Sequence, residues 1–262
     1  MEVEVVDIHP TAIIHPGAEL GENVQIGPYA VIQDDVIIGD NTIIETGVFL
    51  DSGTRVGKNC KIAHRAILGS PPQDLKYANE KTYLEIGDNT TIREFATLNR
   101  GTTYHYKTVI GSNCLLMAYA HVAHDCIIGD NVIIANAVNM GGHVEIDNHA
   151  TVGGLTAIHQ FVKIGQYAFV GGGLRVNKDV PPYIRAMGEP IRYGGTNFIG
   201  LSRKGFGKEI ILEIKRAYKL IYQSKYTIKE ALVAIEEQLH PYPEIKSIVE
   251  FVKRSERGLI RG

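Results

Sequence analysis

The sequence has no run approaching the roughly 18 uninterrupted apolar residues of a membrane-spanning helix. Its first ten residues, MEVEVVDIHP, hold neither a basic segment nor an apolar one. No membrane span is expected, and retention in the cytoplasm is. Net charge is only −2, which offers no general attraction to nucleic acid. Cysteine is scarce, three in 262 residues, and no HExxH pattern occurs, so a strong zinc signature is missing. The charge that is present lies unevenly: residues 1–195 carry 14 Lys+Arg against 21 Asp+Glu, and residues 196–262 carry 13 against 8. The basic end suits an acidic partner or, equally, a solvated helical face.

What the chain does have is a repeat. Taking every sixth residue from Ile8 gives Ile14, Leu20, Ile26, Ile32, Ile38, Ile44, Leu50, Val56, Ile62 and Leu68. The series resumes at Ile86, Ile92 and Leu98, and again from Ile110 to Val176. Four residues after each aliphatic stands a second, mostly small residue, such as Ala30, Val48, Val138 or Ala150. Corner triplets GEN, GDN and GKN begin at 21, 39 and 57, with GSN and GDN at 111 and 129, 18 apart within each run. Gly and Asn tolerate the positive φ of sharp corners. Three flat faces per turn follow, hence a triangular parallel β-helix whose coils stack at roughly 4.8 Å. Handedness does not follow from the spacing.

In this register Cys60, Cys114 and Cys126 fall in the small inward column, where free cysteine packs as a compact hydrophobe. Residues 69–85 and 99–109 interrupt the repeat and are expected as loops leaving the prism. After DVPPYIRAMGEP the repeat stops, and from about 200 the pattern is helical, with Thr227 as an N-cap. The expected division is a prism over 1–190 and a small helical domain over 191–262.

His124 lies two residues after inward Val122, outside both inward columns, and Asp125 follows it, also facing outward. One coil on stands Gly142, and one coil further Gln160; His143 and His159 flank them, and His143 stacks over Asp125. A neutral imidazole beside an unobstructed backbone N–H suits general-base chemistry with oxyanion stabilisation. Metal binding is the rival, with His121, His124 and His143 as ligands. Against it, His121 and His124 flank an inward valine, which splays their rings, and the cysteines point inward. A purely structural β-helix would show long arrays of one outward residue type, which this chain lacks.

The hexapeptide prism followed by helices, with PPQDLKY, NRGT, AHVAHDC, GGHV, GLTAIHQF, DVPPY, GLSRKGF and RSERGLIR, resembles the UDP-N-acetylglucosamine O-acyltransferase family along essentially the whole chain. The resemblance implies a mainly β fold, a left-handed parallel β-helix of hexapeptide repeats with a small C-terminal α-helical domain, assembled as a homotrimer with sites between adjacent prisms. It implies transfer of a 3-hydroxyacyl chain from acyl carrier protein to the glucosamine 3-hydroxyl of UDP-N-acetylglucosamine, the first step of lipid A biosynthesis, without cofactor or metal. His124 matches the family's general base, Asp125 the carboxylate that orients it, and Gly142 the oxyanion-stabilising amide. Binding roles carry over to Asp74, Lys76, His121, His143, His159 and Gln160, with nucleotide contacts at Asn197 and Arg203. Gly172 matches the residue that limits acyl-chain length, and glycine there implies a long chain. Basic residues including Arg203, Lys204, Lys208, Lys215, Arg216 and Lys219 would steer the acidic carrier.

Two positions depart from the family pattern. Asn99 stands where many members have His, and Ile199 where many have Glu. Asn99 still offers hydrogen bonds to a substrate, whereas Ile199 cannot accept one from a ribose hydroxyl. The acceptor atom, a 3-hydroxyl or the 3-amine of a related nucleotide sugar, stays open, as does a histidine-ligated zinc enzyme on the same prism.

Overall fold

The computed structural model describes residues 7–262. Strands of mostly two residues recur every six positions, because each aliphatic that turns inward is followed within three or four residues by a corner. They form three sheets of eleven, nine and eight strands, here called faces A, B and C. Pairing is parallel with an offset of 18, as in Gln25 with Ile43 on face A, Val31 with Phe49 on face B and Ile127 with Glu145 on face C. The fold is a left-handed parallel β-helix of hexapeptide repeats. The chain passes from A to B to C in every coil, so the prism has three edges, A–B, B–C and C–A.

The corner chemistry is broader than the Gly and Asn of the repeating triplets. From Asn23 onward a left-handed backbone recurs at the corners of all three edges. Along the C–A edge the corner includes Asn23, Asn41, Asn59 and Asn131, but elsewhere Tyr119, Asp125, His143 and Phe161 adopt φ near +60°. Such φ values cost these side chains energy. Stacked backbone pairing on both sides of each corner holds them there.

The inward columns are fully buried, from Val24 and Ile26 through Val170 and Val176. Each fully buried aliphatic contributes roughly 1.5–3 kcal/mol of gross transfer energy, opposed by ordering entropy. The interruptions keep the register. Leu68 pairs with Leu98 and Leu84 with Thr108, so the chain inserts first two hexapeptides and then one beyond a regular coil. Only whole hexapeptides are added, which is why the aliphatic column resumes in phase. The excursions are shorter than the interruptions suggested, because Ile67–Ser70, Tyr83–Ile86, Thr97–Asn99 and Lys107–Ile110 are still prism strands.

The expected division at 190 falls inside an antiparallel hairpin of Ile184–Met187 and Arg192–Thr196 that ends face A. Four helices follow: α1 (Phe198–Arg203), α2 (Lys208–Tyr222), α3 (Ile228–Gln238) and α4 (Pro243–Arg254). Thr227 caps α3 reciprocally with Glu230. The helices are tied to the prism: the buried Tyr218 hydroxyl donates to the Pro182 carbonyl at 2.6 Å, and Arg254 reaches Glu145 at 3.0 Å and Asp147 at 2.5 Å.

Cys60, Cys114 and Cys126 are free and buried. Burial pushes all three thiols up, Cys126 to about 12, so none forms a thiolate near neutrality. Native protein is expected to resist a disulfide-exchange reagent that titrates all three thiols in denaturant; fast labelling of native protein would contradict this placement.

Candidate active site

Both inserted loops leave the prism at the B–C edge, the first between Ser70 and Tyr83, the second between Asn99 and Lys107. The next coils turn the same edge at 123–126, 141–144 and 159–162. His124 and Asp125, Gly142 and His143, and His159 and Gln160 are thus successive steps of one ladder beneath two loops. The His143 N–H donates to the His124 carbonyl at 3.1 Å, and the Phe161 N–H to the Gly142 carbonyl at 3.1 Å.

At the centre, His124 Nδ1 lies 2.7 Å from Asp125 Oδ2. An ionised carboxylate only accepts hydrogen bonds, so the proton of neutral His124 sits on Nδ1 and Nε2 is left basic. Asp125 points away from the prism interior, as its register requires, but it does not face solvent. The second loop covers it completely. Burial raises its pKa, but hydrogen bonds from His124, from Thr102 and from the His105 N–H prevail and lower it to about 2.

Gly142 packs against the flat of the His124 ring. A Cβ built on it would stand 2.6 Å from Cε1 and 2.7 Å from Nε2, so any side chain there displaces the imidazole. Among the described residues the Gly142 N–H meets no protein acceptor. His143 crosses His124 edge-on at 5.0 Å between centroids and stacks on Phe161 at 4.3 Å, with Tyr104 against its edge. Burial chiefly, with the neighbouring imidazoles of His124 and His105, lowers its pKa, while Asp125 and Asp74 oppose the shift. His121 is held by Thr97 Oγ1 at 2.8 Å, and burial lowers its pKa too. Both rings are neutral near pH 7.

The other expected residues divide. Asp74 and Lys76 form a turn in the first loop. His159 and Gln160 are exposed, with His159 Nδ1 3.0 Å from the Gln160 carbonyl. Asn99 is buried instead of lining the site. Its amide donates to the Ser70 and Pro71 carbonyls and anchors the base of the first loop. Asn197 caps α1 and also donates to the Tyr167 carbonyl at 3.0 Å. Together with Arg203 it lines a cavity of about 380 Å³ at the C–A edge, shared with Arg185, Lys204, Tyr167 and Ile199. Gly172 sits at the A–B edge, where a Cβ would meet the Gly154 carbonyl at 3.0 Å. One chain therefore spreads the expected residues over all three edges.

His124, Asp125 and His143 each present a ligand atom within 4.8 Å of the others, whereas His121 lies outside that cluster. Asp125 already accepts at both oxygens, and His124 Nδ1 is committed to it. A metal would have to displace that network, so the set fits a hydrogen-bonded dyad better than a metal centre. Thr102, His105, Tyr104 and Phe161 were not singled out in the sequence. Counting 24 rather than 18 back across the second insertion places residue 101 below Asp125, and that count would have found Thr102.

The pattern described as UDP-N-acetylglucosamine O-acyltransferase, domain 2, matches residues 179–260, and bacterial transferase hexapeptides match 17–52 and 107–142. An acyl-[acyl-carrier-protein]–UDP-N-acetylglucosamine O-acyltransferase of Thiobacillus denitrificans is 44% identical over 202 residues, 77% of this chain and 78% of its own. A UDP-N-acetylglucosamine acyltransferase structure from Bacteroides fragilis superposes with a TM-score of 0.95 at 46% identity, covering 97% of this chain and all of the other. One from Acinetobacter baumannii gives 0.95 at 45% identity over 97% and 99%.

Asp125 makes acid stability a readout of the dyad. Its folded pKa lies below the ordinary 3.8, so its stabilisation is complete above about pH 4 and is lost as pH falls toward 2. The urea midpoint of the wild type should exceed that of Asp125→Asn near pH 6, and the difference should shrink between pH 4 and 2. A difference independent of pH would contradict the buried carboxylate.

Proposed function

The chain belongs to the UDP-N-acetylglucosamine O-acyltransferase family, and on that premise we propose how its residues carry the reaction. The protein is an acyltransferase that moves an acyl chain from acyl carrier protein to UDP-N-acetylglucosamine, the first step of lipid A synthesis. The donor is read as a 3-hydroxyacyl thioester and the acceptor as the glucosamine 3-hydroxyl.

The observation that carries the mechanism is the His124–Asp125 pair beside the Gly142 amide. His124 Nε2 takes the proton of the acceptor hydroxyl as its oxygen attacks the thioester carbonyl. Asp125 holds the ring in the required tautomer and stabilises the imidazolium that forms. The carbonyl oxygen becomes an oxyanion next to the Gly142 N–H. On collapse the C–S bond breaks, and the imidazolium returns the proton to the departing thiolate. No acyl-enzyme is needed, in keeping with the inward cysteines.

Asp74, Lys76, His121, His143, His159 and Gln160 are read as holding the sugar and its diphosphate, Asn197 and Arg203 the nucleoside end, and Gly172 the far end of the acyl groove. These groups occupy three different edges of one prism, so a substrate touching all of them must lie between copies. This supports sites shared between copies, as in the homotrimer that the family resemblance implies. Lys208, Lys215 and Lys219 border a further cavity of about 570 Å³ with Phe198 and Leu212, which suits the acidic carrier. Among the described residues no helix is long and apolar enough to cross a membrane. The protein is read as acting in the cytoplasm.

The test is a mass-spectrometric transfer assay with 3-hydroxyacyl carrier proteins of several chain lengths. UDP-N-acetylglucosamine and its 3-amino analogue serve as acceptors, with EDTA in parallel. His124→Ala should lower kcat by roughly 10²–10⁴-fold, and chelation should leave the wild type unchanged. Full activity in His124→Ala would refute the base, and loss on chelation would restore the metal reading.

A further inference from the structure

We propose that Thr102, in the second inserted loop, is a positioning residue for the His124–Asp125 pair, a role that rests on reading His124 as the base.

The Asp125 carboxylate is held from two sides. From the prism comes His124 Nδ1–H, to Oδ2 at 2.7 Å. From the loop come the Thr102 N–H to Oδ1 at 3.0 Å, the His105 N–H to Oδ1 at 3.1 Å and the Thr102 hydroxyl to Oδ2 at 2.6 Å. The direction of the hydroxyl bond is settled by its neighbour. Thr102 Oγ1 accepts from the Tyr104 N–H at 3.2 Å, and ionised Asp125 can only accept, so the hydroxyl proton points at Oδ2. The two shortest bonds to the carboxylate therefore meet on one oxygen, one from the base and one from Thr102. Together they fix the plane of the carboxylate against the plane of the imidazole.

The loop is built to keep Thr102 in place. A Cβ on Gly101 would lie 2.4 Å from the Lys107 nitrogen, so the chain passes there only without a side chain. The Tyr106 N–H closes the loop on the Thr102 carbonyl at 2.8 Å. Arg100 donates to the Ser52 and Gly69 carbonyls and to the Tyr77 hydroxyl of the first loop, at 3.2, 3.1 and 3.0 Å. On the prism side, the Asp125 N–H donates to the buried Thr108 hydroxyl at 2.8 Å, which fixes the backbone at this left-handed corner. With the main chain pinned at both ends, the Thr102 hydroxyl is the remaining side-chain constraint on how Asp125 meets His124. Its loss should let the carboxylate turn and the imidazole follow, slowing proton transfer while leaving the contacts to substrate intact.

A mutant cycle tests this, using wild type, Thr102→Val, Asp125→Ala, the double variant and Thr102→Ser, with thermal melts on each. Thr102→Val should lower kcat about tenfold, the equivalent of one hydrogen bond to a charged group, with the KM for UDP-N-acetylglucosamine unchanged. Thr102→Ser, which keeps the hydroxyl, should recover most of the rate. In the Asp125→Ala background Thr102→Val should change kcat by less than about twofold, because the group it positions is gone. Thr102→Ala replaces the valine variant in the cycle if the latter melts early. Additive losses, an unchanged kcat in Thr102→Val, or failure of serine to rescue would overturn the role of Thr102 while leaving the dyad standing. Full activity in Asp125→Ala would overturn the dyad itself, and with it this role.

Discussion

Parallel backbone pairing at an offset of 18 is the constraint on which everything else in this protein depends. Once Gln25 pairs with Ile43 and Ile127 with Glu145, every residue has a fixed neighbour one coil away. An active site can then be built by placing its parts one coil apart along the chain, as His124, Gly142 and Gln160 are. The same rule restricts what may be inserted. The two excursions add two hexapeptides and one, so the aliphatic columns resume in phase after each.

The loops do more than decorate the edge. A carboxylate removed from water costs several kcal/mol unless donors replace the water. At Asp125 the second loop supplies both the cover and the donors. The charge therefore persists in a buried position, where it acts on His124 without solvent screening. The first loop contributes at longer range, since Asp74 acts electrostatically on His143. Gly142 completes the arrangement by what it lacks, because a methyl group there would occupy the space of the imidazole.

Much of this was legible in the sequence, for a physical reason. A solenoid converts sequence separation into spatial proximity by a single number, so the hexapeptide column gave the prism, its core and the inward cysteines. The regular coil offset gave His124, Gly142 and His143 on one edge. Legibility failed where that number changed. The second insertion hid Thr102 and His105 behind an offset of 24, which is why Asp125 read as exposed when it is buried. It failed again at Asn99, which is buried and whose amide N–H groups go to the carbonyls at the base of the first loop. The left-handed corners at Tyr, His and Phe were not legible either, since their conformation is imposed by pairing on both sides and not by local preference.

The distribution of the candidate residues over three edges makes sharing between copies the central claim. It is tested most directly by mixing two chains, each altered on a different edge. His124→Ala removes the proposed base from one edge and Arg203→Ala alters another, so a site shared between copies would bring an intact His124 of one copy to an intact Arg203 of the next in mixed assemblies. Transfer activity should reappear on coassembly of these two variants and should not reappear on coassembly of His124→Ala with Asp125→Ala, whose lesions lie on the same edge. Activity in the mixture no greater than the sum of the separate variants would contradict a site shared between subunits.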